Sequence, residues 1–407
     1  MIDKKNIGIS TIIVVAALGY FVDIYDLILF GVVRNPSLIE LGYSGEQLVS
    51  KGVFLFNFQM LGMLIGGVLW GVLGDKKGRV SVLFGSIFMY SAANILNGFV
   101  TNINVYGLLR FVAGIGLAGE LGAGITLVTE SMPIEKRGWG TTIIVTFGAL
   151  GAVVAALVAD NFDWRTSYFV GGGLGIILLF LRVGIFESGM YKKMTHDESI
   201  FKGDFFKLFS PKERFLKYLS CILVGLPIWF TIGILIIFSP EIGTALGLPE
   251  KVNASQSIMF AYIGLSLGDL LSGTISQLLR SRRKVVFSFI IALICTIGYF
   301  FFGTINSMNG FYLLCFALGV SSGYWALFVT IAAEQFGTNL RSTVTSTVPN
   351  FVRGAVIPIT SAFLYIKGHV GIVNSSLIVG AICILLAIIG MMKLNESFTR
   401  NLSFYEK

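Results

Sequence analysis

The sequence predicts an all-α integral membrane protein: twelve transmembrane helices in two pseudo-symmetric six-helix bundles. Three observations carry this. Hydrophobic residues make up 55% of the 407 and charged ones only 13%, about half the charged share of a soluble domain. Long apolar runs recur along the whole chain, each near the roughly 20 residues that a bilayer crossing needs. Finally, the chain repeats itself at an offset of 204 residues, Glu130 and Arg137 recurring as Glu334 and Arg341.

The runs fall in order near 9–34, 51–73, 80–100, 104–129, 139–160 and 166–186. A polar interlude follows at 187–214, and six more runs lie near 215–240, 255–279, 285–303, 309–333, 342–366 and 370–392. This divides the chain into an N-terminal six-helix bundle (1–186), a linker (187–214) and a C-terminal bundle with a short tail (215–407). The interlude is basic and amphipathic, the pattern of a helix lying in the membrane surface. Further pairs obey the same offset: Arg79 and Arg283, Thr141 and Thr345, Phe147 and Phe351. Parallel halves of this kind are a transporter architecture with the site between them, near mid-membrane. The high glycine count (49) against few prolines (8) suits helices that pack closely in lipid.

With both termini in the cytoplasm, only Arg34, Lys51, Arg165, Lys251 and Lys367 of the 30 Lys and Arg fall outside. Arg110 and Arg353 lie within spans, and the rest are cytoplasmic, as the positive-inside rule requires. The expected location is the plasma membrane, a bacterial inner membrane, crossed many times. The net charge of +8 thus belongs to cytoplasmic loops facing lipid headgroups, and no nucleic-acid partner is implied. Cys221, Cys295, Cys315 and Cys383 stand singly in apolar runs, without metal-type spacing. No metal site, cofactor motif, HExxH, GxSxG or P-loop occurs, and His196 and His369 fall in loops, so an enzyme is not expected.

Six ionisable residues lie away from the span ends: Asp23, Asp26, Arg110, Glu120, Asp269 and Arg353. A carboxylate at mid-bilayer costs about 2.5–3.5 kcal/mol on insertion scales, which makes intramembrane acids functional candidates. Asp23 and Asp26 are one turn apart, about 60° around a helix, which aims both at one partner or one cavity. Counting about 1.5 Å per residue from the outer end puts Asp26 near 12 Å and Arg110 near 9 Å in depth. The two are level enough to pair.

The loop after span two reads Gly74-Asp75-Lys76-Lys77-Gly78-Arg79. With Gly71 it resembles the GxxxDRxGRR-type loop of the major facilitator superfamily, Lys76 standing at the first basic position. Span four, Arg110 through Gly116, is similar to that superfamily's RxxxGxG motif. The continuation Gly116–Gly124 and the Asp-Ile-Tyr-Asp-Leu segment of span one look like its metabolite:proton symporter branch. The resemblance implies a cytoplasmic gate made by Gly74, Asp75, Gly78 and Arg79 with Glu130 and Arg137, and by Glu334 and Arg341 in the second half. There the Asp75 equivalent is Leu279, so the second latch is degraded. The resemblance also implies a monomer and neighbouring spans one and four.

Asp26 and Arg110 then form the expected proton-coupling pair, with Asp23 or Glu120 relaying or sharing the proton. The same pair would serve as a fixed tie between helices, and Glu120 could equally bond a neighbouring helix. The repeat equivalent of Arg353 is Ala149, so fold symmetry does not demand a guanidinium there. It offers a planar fork for a carboxylate, with Asn350 nearby; the alternative is an acid partner, Asp269 or Asp23. Trp229, Tyr324 and Trp325 are candidate aromatic cavity walls. The function expected is proton-coupled import of a small polar, carboxylate-bearing metabolite such as an organic acid, amino acid or osmolyte. The alternative is a proton-driven exporter, against which span five, Phe147-Gly148-Ala149-Leu150-Gly151, lacks the Gly-Pro motif of that group.

Overall fold

The computed structural model describes residues 9–77, 79–131, 137–186, 205–305 and 307–398, without the side chains of 9–12, 74–80, 126–138, 183–186, 338–339 and 341–342. The first half comprises α1 (Ile9–Glu40), α2 (Glu46–Lys77), α3 (Arg79–Asn97), α4 (Ile103–Leu117), α5 (Glu120–Ser131), α6 (Arg137–Asn161) and α7 (Trp164–Phe186). The second comprises α8 (Lys212–Phe230), α9 (Ser239–Ala245), α10 (Ala254–Leu279), α11 (Arg282–Phe302), α12 (Met308–Ser322), α13 (Trp325–Gln335), α14 (Thr338–Gly354) and α15 (Val356–Lys393). Among the described residues 10 helical stretches are long and apolar enough to cross a membrane. One of them, Thr343–Lys393, is 51 residues long and holds two crossings, divided where Gly371 takes φ 80 and ψ 172, a conformation only glycine adopts without strain. With the shorter apolar helix Ser81–Asn97, the twelve expected crossings are present.

Helix starts follow the local sequence. Asn102 accepts from Asn104 N, Asn253 from Ser255 N, Ser281 from Lys284 N and Ser307 from Gly310 N, each supplying a partner to an otherwise orphaned first-turn N–H. Large exposed side chains are apolar, among them Phe88, Phe180, Ile291, Phe302 and Leu313, as a lipid-facing surface demands. Cys221, Cys315 and Cys383 are buried, while Cys295 is exposed on α11.

The repeat is visible in the breaks. Crossing four divides into α4 and α5 around Ala118–Gly119, and crossing ten divides into α12 and α13 around Gly323–Tyr324. These interruptions sit within one residue of the 204-residue offset read from the sequence. Crossing seven is disturbed too: Pro227 has no N–H to give, and the chain widens into a π-helix at Thr231–Ile236. Such irregular turns inside membrane helices are tolerated where they line a cavity.

Within the first half α1 packs on α5, α6 and α7, α2 on α4, and α3 on α4 and α7; within the second α8 packs on α14 and α15, and α10 on α12. The halves meet through α2 against α14 and α6 against α10. Gly122 of α5 lies against the Ser346 backbone of α14, and Gly273 of α10 against Thr142 of α6. A side chain at Gly122 would collide with main chain, so this approach requires glycine.

Candidate functional site

α1 has a buried partner on either side. Asp23 and Asp26 are both fully buried, but the expectation that they aim at one partner is corrected: the 60° between them sends them to different places. Asp23 reaches across to the second half, where its Oδ2 lies 3.7 Å from Arg353 Nη2. Asp26 points into the first half, its Oδ1 packed against Gly171 of α7.

Arg353 sits in the last turn of α14, completely buried. Nη1 donates to Asn350 Oδ1 at 3.4 Å and Nη2 to the Tyr20 hydroxyl at 3.5 Å, while Nε has no partner. Its Cζ lies 5.8 Å from the Trp229 ring centre and 5.7 Å from that of Trp325. A guanidinium has five donors, and every polar contact here is longer than the usual 2.9–3.0 Å. It is a buried cation held by rings and loose bonds, open to a better anion.

Beside it, between the bundles, a small cavity is lined by Tyr20, Val145, Ala149, Trp229, Tyr262 and Trp325, among others. Trp229 and Trp325 therefore stand where the sequence suggested. Tyr324 does not: it is buried away from the cavity lining, its hydroxyl donating to Val224 O at 3.1 Å. The break after α12 turns it toward α8 and leaves Trp325 to face inward. Asn350 is partly a tie, its Nδ2 donating to Ala118 O at 2.9 Å and to Ser346 O at 2.7 Å. Asp269 is not Arg353's partner; its Oδ1 accepts the Ala326 N–H at 2.9 Å and so caps the start of α13.

The expected Asp26–Arg110 carboxylate contact is not made. Arg110 Nη2 donates instead to the Asp26 main-chain oxygen at 3.4 Å, and its Cζ lies 5.6 Å from both the Phe30 and Tyr168 ring centres. Both Asp26 carboxylate oxygens are without a hydrogen-bond partner. The two residues are neighbours at one level, as the depth count placed them.

Glu120 bonds a neighbouring helix, the second of the two readings. Arg182 grips it with two bonds of 2.9 Å, both side chains 1% exposed, and the Ser86 hydroxyl donates to it at 3.2 Å. Sequence reasoning missed Arg182 because it stands near a span end, where a positive charge passes as a cytoplasmic flank. It also missed Arg34, counted as external: the side chain is 1% exposed, paired with Glu241 Oε1 at 2.7 Å and lying 4.3 Å over the Phe238 ring. That pair joins α1 to α9 at the face carrying the 41–45 loop. Glu334 pairs with Arg282 at 3.3 Å and accepts from Ser397, one residue from the Arg283 that the repeat would nominate. The side chains of Gly74, Asp75, Gly78, Arg79, Glu130, Arg137 and Arg341 lie outside the described residues. Among the described residues no group of three or more His, Cys, Asp or Glu comes together to hold a metal.

A buried cation beside a cavity between two bundles with repeated helix breaks is a transporter's arrangement, and the family comparison agrees. The model of the Major Facilitator Superfamily matches residues 16–359. The chain belongs to the major facilitator superfamily. Similar members include a candidate niacin/nicotinamide transporter, NiaP, of Bacillus subtilis strain 168, 28% identical with 83% of this chain and 84% of that protein aligned. The sialic acid transporter NanX of Escherichia coli K12 is 25% identical over 89% of each chain. A gentisate transporter of Corynebacterium glutamicum is 24% identical over 93% of this chain and 86% of its own. Like these superfamily members, the protein is a multi-pass membrane transporter of small metabolites and not an enzyme.

Proposed function

We propose that this transporter imports a small carboxylate-bearing metabolite together with protons, by alternating access of two bundles, 1–186 and 215–407, around the Arg353 cavity. The observation that carries the reading is the looseness of Arg353, whose contacts run from 3.4 to 3.7 Å, against 2.9 Å for Arg182 and 2.7 Å for Arg34. A substrate carboxylate can offer the bidentate bond that nothing in the protein supplies. Trp229, Trp325, Tyr20 and Tyr262 suit a flat body beside that carboxylate. Niacin, gentisate and sialic acid, named for the similar transporters, all carry one.

Asp23 supplies the coupling. While ionised it competes for Arg353; a proton on Asp23 cancels that attraction and leaves the guanidinium to the substrate. Release of the substrate returns Arg353 to Asp23 and drives the proton off. Asp26, one turn away, stands ready to exchange protons with it. The distribution of Lys and Arg supports cytoplasmic termini, which makes the Arg34–Glu241 face the outer one of a bacterial inner-membrane protein that works as a single chain.

Thermal melts of the purified protein test this, since bound ligand stabilises by mass action, about 2.7 kcal/mol at a hundredfold excess over Kd. Nicotinate, gentisate or cis,cis-muconate should raise Tm, and nicotinamide, lacking the carboxylate, should not. Charge-assisted bonds are worth about 1.5–3 kcal/mol, so Arg353→Gln should weaken that binding about 10- to 100-fold; unchanged affinity refutes the contact. In proteoliposomes, uptake by Asp23→Asn should lose its dependence on an inward proton gradient, and gradient-driven accumulation by that variant refutes the coupling.

A further inference from the structure

One face of α3 is polar from end to end although it is buried. Ser86, Tyr90, Ser91, Asn94 and Asn97 recur at helical spacing, none more than 2% exposed. Both amide atoms of Asn94 and of Asn97, the Tyr90 hydroxyl and the Ser91 hydroxyl lack a protein partner. So do Gln59 Oε1, both Asp26 carboxylate oxygens, and Nε and Nη1 of Arg110. Isolated groups of this kind are costly to bury, and membrane interiors and protein cores alike satisfy them with bound water.

The groups form one line. Asn94 lies close enough to the Asp26 carboxylate to interact with it, though outside ordinary hydrogen-bond geometry. Asp26 packs on Gly171, and Ser91 with the Tyr90 ring packs on Gly175, one turn further along α7. The Tyr90 hydroxyl is within electrostatic reach of three acids, Glu120, Asp26 and Asp23, and of Arg182. At the far end Ser86 donates to Glu120, which Arg182 holds. Gly171 and Gly175 let Asp26 and Ser91 pack directly against α7, where a Cβ would collide with them.

We propose that these residues are a hydrated proton file inside the first bundle, running Asn97, Asn94, Asp26, Tyr90, Glu120, apart from the substrate cavity between the bundles. At each water and at the Tyr90 hydroxyl the oxygen takes a proton while passing its own onward, so Tyr90 ends each step neutral. Asp26 and Glu120 take up a proton and later release it, and Asn94 and Asn97 only orient the water by hydrogen bonds. A proton on Glu120 replaces one N–H bond from Arg182, and its departure restores it. Asp23 and Asp26, one turn apart on α1, join the file to the Arg353 site. The proposal rests on the proton-coupled reading above, and its test separates the two.

Tyr90→Phe removes one hydroxyl and keeps the ring. With radiolabelled nicotinate in proteoliposomes, we expect exchange at equal pH with KM within twofold of the parent, while accumulation driven by a proton gradient falls at least tenfold. Undiminished accumulation overturns the file. A second measurement needs no substrate: X-ray radiolytic hydroxyl labelling of the full-length parent protein, which oxidises side chains that touch bound water. Tyr90 should label several-fold faster than Tyr324, equally buried but bonded to Val224 O. Equal rates overturn the file whatever nicotinate does, and fast labelling without nicotinate uptake overturns nicotinate as the substrate while sustaining the file.

Discussion

Among the described residues four arginines are less than 2% exposed, Arg34, Arg110, Arg182 and Arg353, and bond length sorts them by role. Arg182 and Glu120 neutralise each other through two short bonds, a tightly paired resting state from which a proton on Glu120 would release one bond. Removing one member of such a pair leaves an uncompensated charge at a cost of about 3–5 kcal/mol, whereas removing both can be near neutral. Arg182→Met should therefore lower the thermal midpoint sharply, and Arg182→Met with Glu120→Met should recover most of the loss. Arg353→Gln should shift it far less, because little holds that side chain now; melts of the three variants check this. Arg110 and Arg353 were legible in the sequence because a cation deep in an apolar run has no bland explanation. Arg182 was not, because composition near a span end cannot tell a buried partner from a solvated flank. The polar stripe of α3 was legible in principle, since Ser86, Tyr90, Asn94 and Asn97 repeat every three or four residues.

Among the elements, α1 shows how little angle decides a role. It borders the cavity on one side and α7 on the other, so a 60° step separates Asp23 from Asp26 chemically. The breaks between α4 and α5 and between α12 and α13 aim Glu120 and Trp325 inward, and no propensity argument predicts their residue. The end of α15 is tied down by the tail. Glu396 accepts from the Ser281 hydroxyl at 2.5 Å and from the N–H groups of Arg282, Ser397 and Phe398. Burial pushes its carboxyl up, but these four bonds outweigh burial and hold it below its ordinary 4.5. A carboxyl depressed by folding stabilises above its unfolded pKa and stops doing so as pH falls through the folded one. Glu396→Gln should thus melt lower than the parent near pH 7, and the gap should close below about pH 4.5. The group is exposed, so the gap is small; paired melts across pH 3–7 measure it.

For the whole molecule, the two bundles touch on both sides of the cavity. Arg34–Glu241 joins them at the 41–45 face, and Gly122 against Ser346 joins them toward the termini. Alternating access needs each contact to open in turn, so weakening one should shift the population toward the state in which it is broken. With spin labels at Ile39 and Glu250, Glu241→Gln should add a longer-distance population to that of the parent. An unchanged distance distribution would show that the pair does not hold this face shut. Gly122 carries the matching constraint, since any side chain there meets α14 main chain.

The sequence by itself determined the solvent, the number of crossings, the twofold repeat and which charges are anomalous. Those follow from hydrophobicity, length and the price of charge in hydrocarbon, all local quantities. Which anomaly meets which was left to tertiary structure. Asp23 rather than Asp26 reaches the cavity cation, Arg182 rather than solvent meets Glu120, and Tyr324 turns away where Trp325 turns in. A partner is set by the rotation of helices about their axes and by breaks within them, and those come from packing across the two bundles, which no single segment encodes.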